Sequence, residues 1–565
     1  MRSDRGSWGR VISGGLIFGA AAVFVSLVGM VEALGVRVIV IGVIDFGRLL
    51  LLLIGLGAGY QAARRGGGGV VIALLRGLLA GAATGAGLAA LLVLGSEVNL
   101  RGMFINASPA LFEIISFGRG AAGVPLVVAA GAVVGVLGAA ATLLPGTVRG
   151  PLGAGVTATI VIGLFQELLQ IILQGEEGVR AAIRQLIFVP EGLPPRGALE
   201  VFVVVLVASA LWRSRRPVVR SWISKRPLRT QRLLRMLGLL LAVAVVLVLP
   251  AAGGLFVSQV LVLVGLYTLM GLGLNLEVGF AGLLDLGFVA FFAIGAYTVG
   301  LLTSTGQYGV AHWSFWAAVP VALVVSLIAG FLFGLPILRI RGDYLAIATL
   351  GFGEIIRLLA LSDALRPWFG GSQGILAVPK PNIGGFEFSG PMQIFYITLV
   401  SSAFIAFVAA RLRDSRLGRA WMAMREDEDV AEAMGINLIN VKLLAYGIGG
   451  AFAGVGGAIF AALLGSIFPH SFNLLISINV LALIIVGGMG SLPGVVVGSL
   501  FLVGLPELLR EFSDFRFLVY GAALIIMMQV KPAGLWPAAA VRRELLKEEP
   551  VGAVTEGPVA ERAEA

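Results

Sequence analysis

Three polar side chains, Asn275, Glu277 and Asp285, interrupt an apolar run that is otherwise rich in glycine and leucine. An amide or carboxyl group facing hydrocarbon costs free energy, so these side chains are expected to face the interior of a helical bundle or a water-filled path. Glycine lets the backbone leave helical geometry, which a membrane tolerates only where that backbone is buried or lines a cavity. The block therefore predicts the polar lining of a translocation path, with close helix packing around buried polar pairs as the alternative. We assign to this path Asn275, Gly279, Gly282 and Asp285.

Further path residues are expected in three places downstream. Tyr297 ends a Phe-Phe-Ala-Ile-Gly-Ala-Tyr continuation of the first block. Glu354 stands three residues before Arg357, a spacing that predicts an ion pair or, alternatively, a direct role in transport. A Gly-Gly-Met-Gly break interrupts the apolar run 477–509, and such breaks often line a permeation path, although a packing kink is the alternative. The residues added to the path are Tyr297, Gly351, Glu354, Gly487, Gly488 and Gly490.

The polar segment 415–436 carries a different pattern. Leu417, Ala420, Trp421 and Met424 fall on one stripe at helical spacing, whereas arginines occupy the other faces. Gly435 is well placed to end a second short helix. The pattern predicts an amphipathic element along a membrane surface, which can insert into a groove of a partner protein or lie on lipid.

The composition excludes several kinds of chemistry. The chain has no cysteine and two histidines, so disulfides, cysteine nucleophiles and thiolate zinc sites are excluded, and a histidine metal centre is not expected. It contains no Gly-x-x-x-x-Gly-Lys-Ser/Thr phosphate loop, so ATP hydrolysis would require another protein. The net charge of +10 comes from Lys and Arg in short blocks between apolar runs, which favours membrane orientation over nucleic-acid binding.

Membrane helices are the elements that position these residues. Hydrophobic residues make up 58% of the 565-residue chain, and apolar runs long enough to cross hydrocarbon as helix recur along it. The predicted fold is an all-α, polytopic transmembrane helical bundle with broken or re-entrant helices. Spans are expected near 11–31, 38–58, 70–94, 121–144, 155–174 and 199–212, then near 236–252, 256–274, 286–303, 314–336, 343–361, 392–410, 441–465, the broken run 477–509 and 516–530.

A basic stretch divides these spans into two groups. Residues 213–235 contain nine Lys or Arg and no acid, which is typical of a cytoplasmic linker attracted to anionic lipid. The predicted domains are a six-helix N-terminal membrane extension of unknown role (1–212), this basic linker (213–235), a second membrane domain (236–537) and a disordered cytoplasmic tail (538–565). The positive-inside rule places both termini in the cytoplasm.

The motifs of the second domain, in their order, resemble the LivM-type permease of branched-chain amino acid ABC importers. The resemblance covers about three hundred residues, whereas the first 230 match nothing in the pattern. Asp285 and Phe288 stand where many relatives carry Ser and His, so no polar role is carried over to Phe288. The motifs that carry the resemblance are the Gly-Leu-Asn-Leu block, Arg-Gly-Asp-Tyr-Leu-Ala-Ile-Ala-Thr-Leu-Gly-Phe-Gly-Glu-Ile-Ile-Arg, Gly-Gly-Ser-Gln-Gly-Ile, Ser-Arg-Leu-Gly-Arg-Ala-Trp, Ala-Glu-Ala-Met-Gly-Ile and Gly-Gly-Met-Gly-Ser-Leu-Pro-Gly.

The resemblance implies a permease subunit of an ATP-driven importer for branched-chain or related hydrophobic amino acids, multi-pass in a prokaryotic plasma (inner) membrane. The implied partners are membrane lipid, a second, LivH-like permease, two ABC ATPase subunits and an extracytoplasmic solute-binding protein, with no nucleic acid. No cofactor is implied for this chain, since ATP and Mg²⁺ would be used by the ATPases. The residues implied to couple to an ATPase are Arg425, Glu426, Glu432, Ala433, Met434 and Gly435.

Three alternatives remain open from the sequence. Related permeases carry urea or short amides, so the same machinery could import those solutes. Intramembrane Asp285 and Glu354 with broken helices would also suit an ion-coupled secondary transporter. A membrane enzyme or scaffold, with its activity in the N-terminal extension, is the third, although that extension contains no paired catalytic constellation.

Overall fold

The chain divides into two compact units, Met1–Leu240 (unit 1) and Leu241–Ala565 (unit 2), in a computed structural model. Twelve helices in the described part of the chain are long and apolar enough to cross a membrane. The all-α polytopic fold predicted from the sequence is confirmed, since a spanning helix satisfies its own backbone polar groups. The structure describes residues 5–64, 69–173, 179–224, 227–337, 340, 342–508, 521, 524, 525, 527, 529 and 531–538.

Unit 1 contains ten helices, two 3₁₀ turns and one β-hairpin among its described residues. They are α1 (Arg5–Leu27), α2 (Met30–Gly35), β1 (Val38–Val40), β2 (Ile44–Asp45), α3 (Phe46–Arg64), α4 (Val70–Glu97), Leu100–Gly102 (3₁₀), α5 (Pro109–Ile115), Gly120–Gly123 (3₁₀), α6 (Val124–Leu143), α7 (Gly146–Leu164), α8 (Gln166–Ile172), α9 (Val179–Ile187) and α10 (Pro195–Ser224).

The start of the span predicted at 38–58 is wrong. Residues 38–45 form the antiparallel pair β1–β2, and the spanning helix α3 begins only at Phe46. Gly42 in the turn has φ of 70°, a left-handed conformation, and the flanking residues are mostly β-branched. Because the hairpin residues are apolar, hydropathy alone could not distinguish them from the start of a spanning helix.

Glycines determine how closely helices approach in unit 1. A Cβ on Gly81 of α4 would lie 2.2 Å from the carbonyl oxygen of Gly131 in α6. A Cβ on Gly135 would lie 2.2 Å from the carbonyl oxygen of Gly77. Small residues four apart on both helices therefore bring the two backbones into contact, the packing mode expected between membrane helices.

Unit 2 contains the remaining helices, two π-helical segments and a second β-hairpin. Its elements are α11 (Leu228–Leu274, which begins in unit 1), the π-helical segment Asn275–Phe280, α12 (Val289–Thr303), α13 (Phe315–Ile337), α14 (Asp343–Leu361), α15 (Arg366–Phe369), Gly371–Gln373 (3₁₀), β3 (Asn382–Ile383), β4 (Phe386–Glu387), α16 (Pro391–Arg413), α17 (Arg416–Glu426), α18 (Glu428–Ala433), α19 (Leu438–Leu464), Pro469–Ser471 (3₁₀), α20 (Leu474–Gly487), α21 (Leu492–Ser499), the second π-helical segment Leu500–Gly504 and α22 (Leu505–Leu508).

Helix α11 is two helices joined at Gly254, whose φ of 75° and ψ of −168° are not helical. This break falls between the spans predicted at 236–252 and 256–274. The predicted last span, 516–530, lies mainly outside the described residues. So do Arg339, Arg341 and the predicted tail, apart from position 538.

Helix α19 is the central helix of unit 2, and 78% of its most apolar stretch of 18 residues is buried. Small residues allow this burial. A Cβ on Gly295 of α12 would lie 2.1 Å from the carbonyl oxygen of Gly454, and one on Gly330 of α13 would lie 2.4 Å from that of Tyr446. Because α12 and α13 pack so closely on α19, polar side chains of α19 such as Tyr446 are buried inside the unit.

The predicted break at Gly-Gly-Met-Gly is present, and the chain folds back there. Helix α20 ends at Gly487, and α21 starts at Leu492. A Cβ on Gly487 would lie 2.0 Å from the carbonyl oxygen of Gly494, and one on Gly498 would lie 2.0 Å from that of Leu483. The two helices therefore run antiparallel in contact, as a re-entrant hairpin does.

Candidate functional site

The two broken segments of unit 2 meet at Asn275. This side chain is fully buried, and its Oδ1 accepts a hydrogen bond of 2.9 Å from the backbone N–H of Gly490. A Cβ on Gly279 would lie 2.1 Å from the same Oδ1 and 2.7 Å from the nitrogen of Gly490. Three predicted path residues, 275, 279 and 490, are thus in direct contact. Asn275, Glu277 and Asp285 all face the interior, as predicted.

Polar side chains hold the irregular backbone of residues 281–288, which connects the first π-helical segment to α12. Asp285 Oδ1 accepts from the N–H of Gly287 at 2.6 Å. Thr349 Oγ1 accepts from the N–H of Leu286 at 3.0 Å, and Ser477 Oγ accepts from the N–H of Val289 at 3.0 Å. These bonds replace helical ones, which is why non-helical backbone is tolerated at this depth.

Two acidic side chains lie together beside this loop. Glu277 is 0% exposed and Asp285 is 2% exposed, and their carboxyl groups are close enough to interact. The Glu277 carboxyl group packs on the bare backbone of Gly449 in α19, where a Cβ would lie 2.0 Å from its Oε1. Asp285 and the buried Tyr446 line one small cavity of about 10 Å³. The site is therefore a polar cluster enclosed by apolar helices.

The segment 415–436 forms two short helices, α17 and α18, anchored to α19. Trp421 is fully buried, and its indole N–H donates to the carbonyl oxygen of Val441 at 2.8 Å. Met424 is 1% exposed, and Lys442 Nζ pairs with Glu428 Oε2 at 2.9 Å. The predicted apolar stripe is confirmed, but it faces unit 2 itself. The Trp421 side chain holds α17 in place, so the stripe is not free to insert into a groove of a partner protein.

The exposed part of this helical pair is its tip. Met434 is 80% exposed and Val430 is 58% exposed, and Glu432 and Ala433 are exposed as well. Gly435 has φ of 88°, which lets it end α18 as predicted. The tip of α18 therefore exposes two large apolar side chains, Val430 and Met434.

Arg425 joins the helical pair to the broken segments. Its guanidinium donates to the carbonyl oxygen of Gly279 at 2.5 Å, a contact between residues 146 positions apart. Gly282 has φ of 75°, a conformation that favours glycine, and a Cβ there would lie 3.0 Å from Cγ of Arg425, a tight contact. A Cβ on Gly490 would lie 3.5 Å from the same guanidinium. One predicted coupling residue therefore bonds to one predicted path residue, Gly279, and lies beside two others, Gly282 and Gly490.

Other predicted path residues lie apart from this cluster. The Tyr297 ring packs on Phe369, with centroids 5.6 Å apart, and on Phe472 at 5.9 Å. Glu354 and Arg357 form the expected ion pair, with Arg357 Nε 3.0 and 3.1 Å from the two carboxylate oxygens. Glu354 also lines a cavity of about 140 Å³ that includes Phe472. These residues form a second group, distinct from the cluster around Glu277.

The remaining predicted glycines have different surroundings. A Cβ on Gly351 would meet no heavy atom of the described residues within 4 Å, whereas a Cβ on Gly353 would lie 3.1 Å from Cα of Gly287. Gly353, not Gly351, is therefore the glycine of α14 at a close backbone approach. Gly487 and Gly488 lie at the hairpin break, where the N–H of Trp536 donates to the carbonyl oxygen of Gly487 at 2.8 Å.

The opposite end of α19 is closed by Lys380, which the sequence pattern did not single out. Its Nζ donates to the carbonyl oxygens of Ala462 and Leu463 at 2.8 and 2.7 Å. A cation at a helix C-terminus interacts favourably with the helix dipole. Burial lowers the pKa of this lysine, and the neighbouring Glu387 opposes that effect.

Unit 2 is similar to known proteins over most of its length. Residues 256–528 match the family described as "Branched-chain amino acid transport system / permease component". The high-affinity branched-chain amino acid transport system permease protein LivM of Salmonella typhimurium is 41% identical over 295 residues, which is 48% of this chain and 68% of the relative. LivM of Escherichia coli is 40% identical over 318 residues, 52% of this chain and 73% of the relative.

A second group of relatives is more distant. The permease protein LivH of Salmonella typhimurium is 26% identical over 287 residues, which is 48% of this chain and 90% of the relative. No solved structure matches the chain.

The twelve apolar helices and the matching permease relatives define a multi-pass membrane transport component. The chain belongs to the family of permease components of branched-chain amino acid transport systems.

Proposed function

We propose that this chain is a permease subunit of an ATP-driven ABC importer for branched-chain amino acids. In this proposal a solute-binding protein delivers the amino acid on the extracytoplasmic side, and two separate ATPase subunits supply the energy. A second, LivH-like permease completes the path, and ATP and Mg²⁺ are used only by the ATPases. The membrane is a prokaryotic plasma (inner) membrane, with both termini of the chain in the cytoplasm.

The contact between Arg425 and Gly279 is the observation that carries this proposal. A permease driven by a separate ATPase needs a surface that the ATPase can contact and a rigid connection from that surface to the translocation path. The exposed tip at Met434 would be the contact surface. Buried Trp421 and the Lys442–Glu428 ion pair hold the helices that carry it, and Arg425 connects them to the broken segment.

The branched-chain substrate is supported by the LivM and LivH relatives, whose names state that substrate. The matching family and the LivM relatives give no support to the urea, short-amide or ion-coupled alternatives. Transport of radiolabelled leucine into vesicles that contain the permeases and ATPases, with leucine-loaded binding protein outside, tests the substrate directly.

The absence of cysteine from the natural chain allows a sharp test of coupling. We replace Met434 with cysteine, which creates a single exposed thiol at the tip of α18, and treat intact cells with a thiol-to-amine cross-linker. The expected product joins this chain to a protein that hydrolyses ATP, identified by mass spectrometry.

Leu376→Cys provides the matched control. Leu376 is 51% exposed and lies near the far end of α19, where the N–H of Val378 donates to the carbonyl oxygen of Gly465 at 3.0 Å. Helix α19 has 27 residues, so its ends are about 40 Å apart. Leu376→Cys should not reach the ATPase. Equal cross-linking from both thiols, or none from Met434→Cys, would refute the coupling assignment.

A further inference from the structure

The acidic pair Glu277–Asp285 is almost completely buried. Both carboxyl groups are at least 98% buried, and, apart from the adjacent Asp285 carboxyl group, neither oxygen of Glu277 has a hydrogen-bond partner among the described residues. The hydroxyl group of Tyr446, which is 2% exposed, also lacks a partner in the described part of the chain. Asp285 accepts a hydrogen bond from the N–H of Gly287, whereas the Glu277 carboxyl group and the Tyr446 hydroxyl group are buried beside it without such a bond among the described residues.

Charge makes this arrangement costly unless a cation joins it. Two adjacent carboxylates cannot both remain ionised in a water-poor interior, because each loses its hydration and repels the other. A proton shared by the pair would remove one charge, and a bound cation would stabilise both. The pair is thus built to hold one positive charge at a time.

A small cavity next to Asp285, which Glu277 does not line, limits the size of that cation. The cavity lined by Asp285, Tyr446 and Thr349 holds about 10 Å³, which is room for about one water-sized group. An ammonium head has this size, whereas a whole amino acid does not fit in the described conformation. Tyr446 lies eight residues into α19, about 12 Å from the helix end that carries the coupling helices.

We propose that Glu277 and Asp285 bind the primary ammonium group of the transported solute, with the Tyr446 hydroxyl group as the third polar group of the site. Between turnovers one proton occupies the site. When the path opens, the ammonium group replaces that proton, which is released to water, so the charge of the site is conserved. Gly449 is required because a side chain there would occupy the place of the Glu277 carboxyl group.

This proposal rests on the proposed function and names how that path recognises its solute. The test uses the complete complex, reconstituted with leucine-loaded binding protein and ATP. Glu277→Gln removes the charge and keeps the shape, and we expect leucine uptake per ATP hydrolysed to fall at least tenfold. Glu387→Gln changes an exposed glutamate of β4 and should leave that ratio as in the natural protein.

Infrared difference spectroscopy supplies a readout that a structural role would not change. The natural complex should show the band of a protonated carboxyl group, and leucine should remove it. In Glu277→Gln and in Asp285→Asn leucine should have no such effect. If one variant fails to assemble, the natural complex and the other variant still distinguish an ammonium site from a structural role.

Two results would overturn the ammonium site. One is an unchanged ratio of uptake to hydrolysis in Glu277→Gln. The other is a carboxyl band that responds to pH but not to leucine, which would identify a proton site alone. Failure of the proposed function looks different, because the natural complex would then show neither leucine uptake nor hydrolysis stimulated by the binding protein.

Discussion

Replacing Arg425 with alanine should uncouple the ATPases from the path. The guanidinium donates to the Gly279 carbonyl oxygen at 2.5 Å, and a hydrogen bond from a charged group contributes about 1.5–3 kcal/mol. If this bond is made in only one of the two transport states, its loss changes their ratio by about 10- to 160-fold. Arg425 itself is exposed, so we expect the lower end, about tenfold.

The assay compares leucine uptake with ATP hydrolysis in the same proteoliposomes. Arg425→Ala should lower the leucine uptake per ATP hydrolysed by about tenfold. The ATPases still hydrolyse ATP, but the lost hydrogen bond no longer connects α17 to Gly279. Arg416→Ala is the matched control: it removes an exposed arginine from the other end of the same helix. That variant should retain the natural ratio.

A normal ratio in Arg425→Ala would refute the idea that this side chain transmits force. Equal losses in Arg425→Ala and Arg416→Ala would also count against it, since the effect would then come from the charge of α17 as a whole. Thermal stability of the purified variants, measured alongside, separates uncoupling from unfolding.

Three further substitutions test the anchor of α17 and the packing around α19. Trp421→Ala removes a fully buried ring and its bond to Val441, so it should destabilise unit 2 by about 3–5 kcal/mol, seen as a lower melting temperature in detergent. An unchanged melting temperature would show that Trp421 does not anchor α17. Gly295→Ala would place a Cβ 2.1 Å from the carbonyl oxygen of Gly454 and should destabilise by about 1–3 kcal/mol, whereas Gly351→Ala, whose Cβ would meet no described heavy atom within 4 Å, should stabilise by about 0.5–1 kcal/mol. Equal effects of the two alanines would contradict the packing described for α12.

The sequence was sufficient for features that depend on neighbouring residues. The burial of Asn275 and Asp285, the stripe that ends at Met424 and the helix end at Gly435 follow from local periodicity and from the cost of polar groups in hydrocarbon. The ion pair between Glu354 and Arg357 follows from a spacing of three on one helix.

The sequence could not show which distant segments meet. Asn275 bonds to a residue 215 positions away, and Arg425 to one 146 positions away. No periodicity indicates that Gly449 makes room for Glu277 or that Tyr446 lines the same cavity as Asp285. Long-range convergence depends on how helices pack, and many packings are compatible with one set of apolar faces.

The positions of these contacts suggest how a small motion at the surface can open the path. Gly279 touches Arg425 on one side and Asn275 on the other, and Asn275 in turn holds Gly490 of the second broken segment. A shift of α17 therefore acts on both breaks through one short stretch of non-helical backbone. Glu277 lies in the same stretch, two residues before Gly279, so that shift also changes the space around the acidic pair. Under the proposed function, solute binding and contact with the ATPase would be linked through the same residues, because a ligand that favours one arrangement of this stretch must favour the matching position of α17.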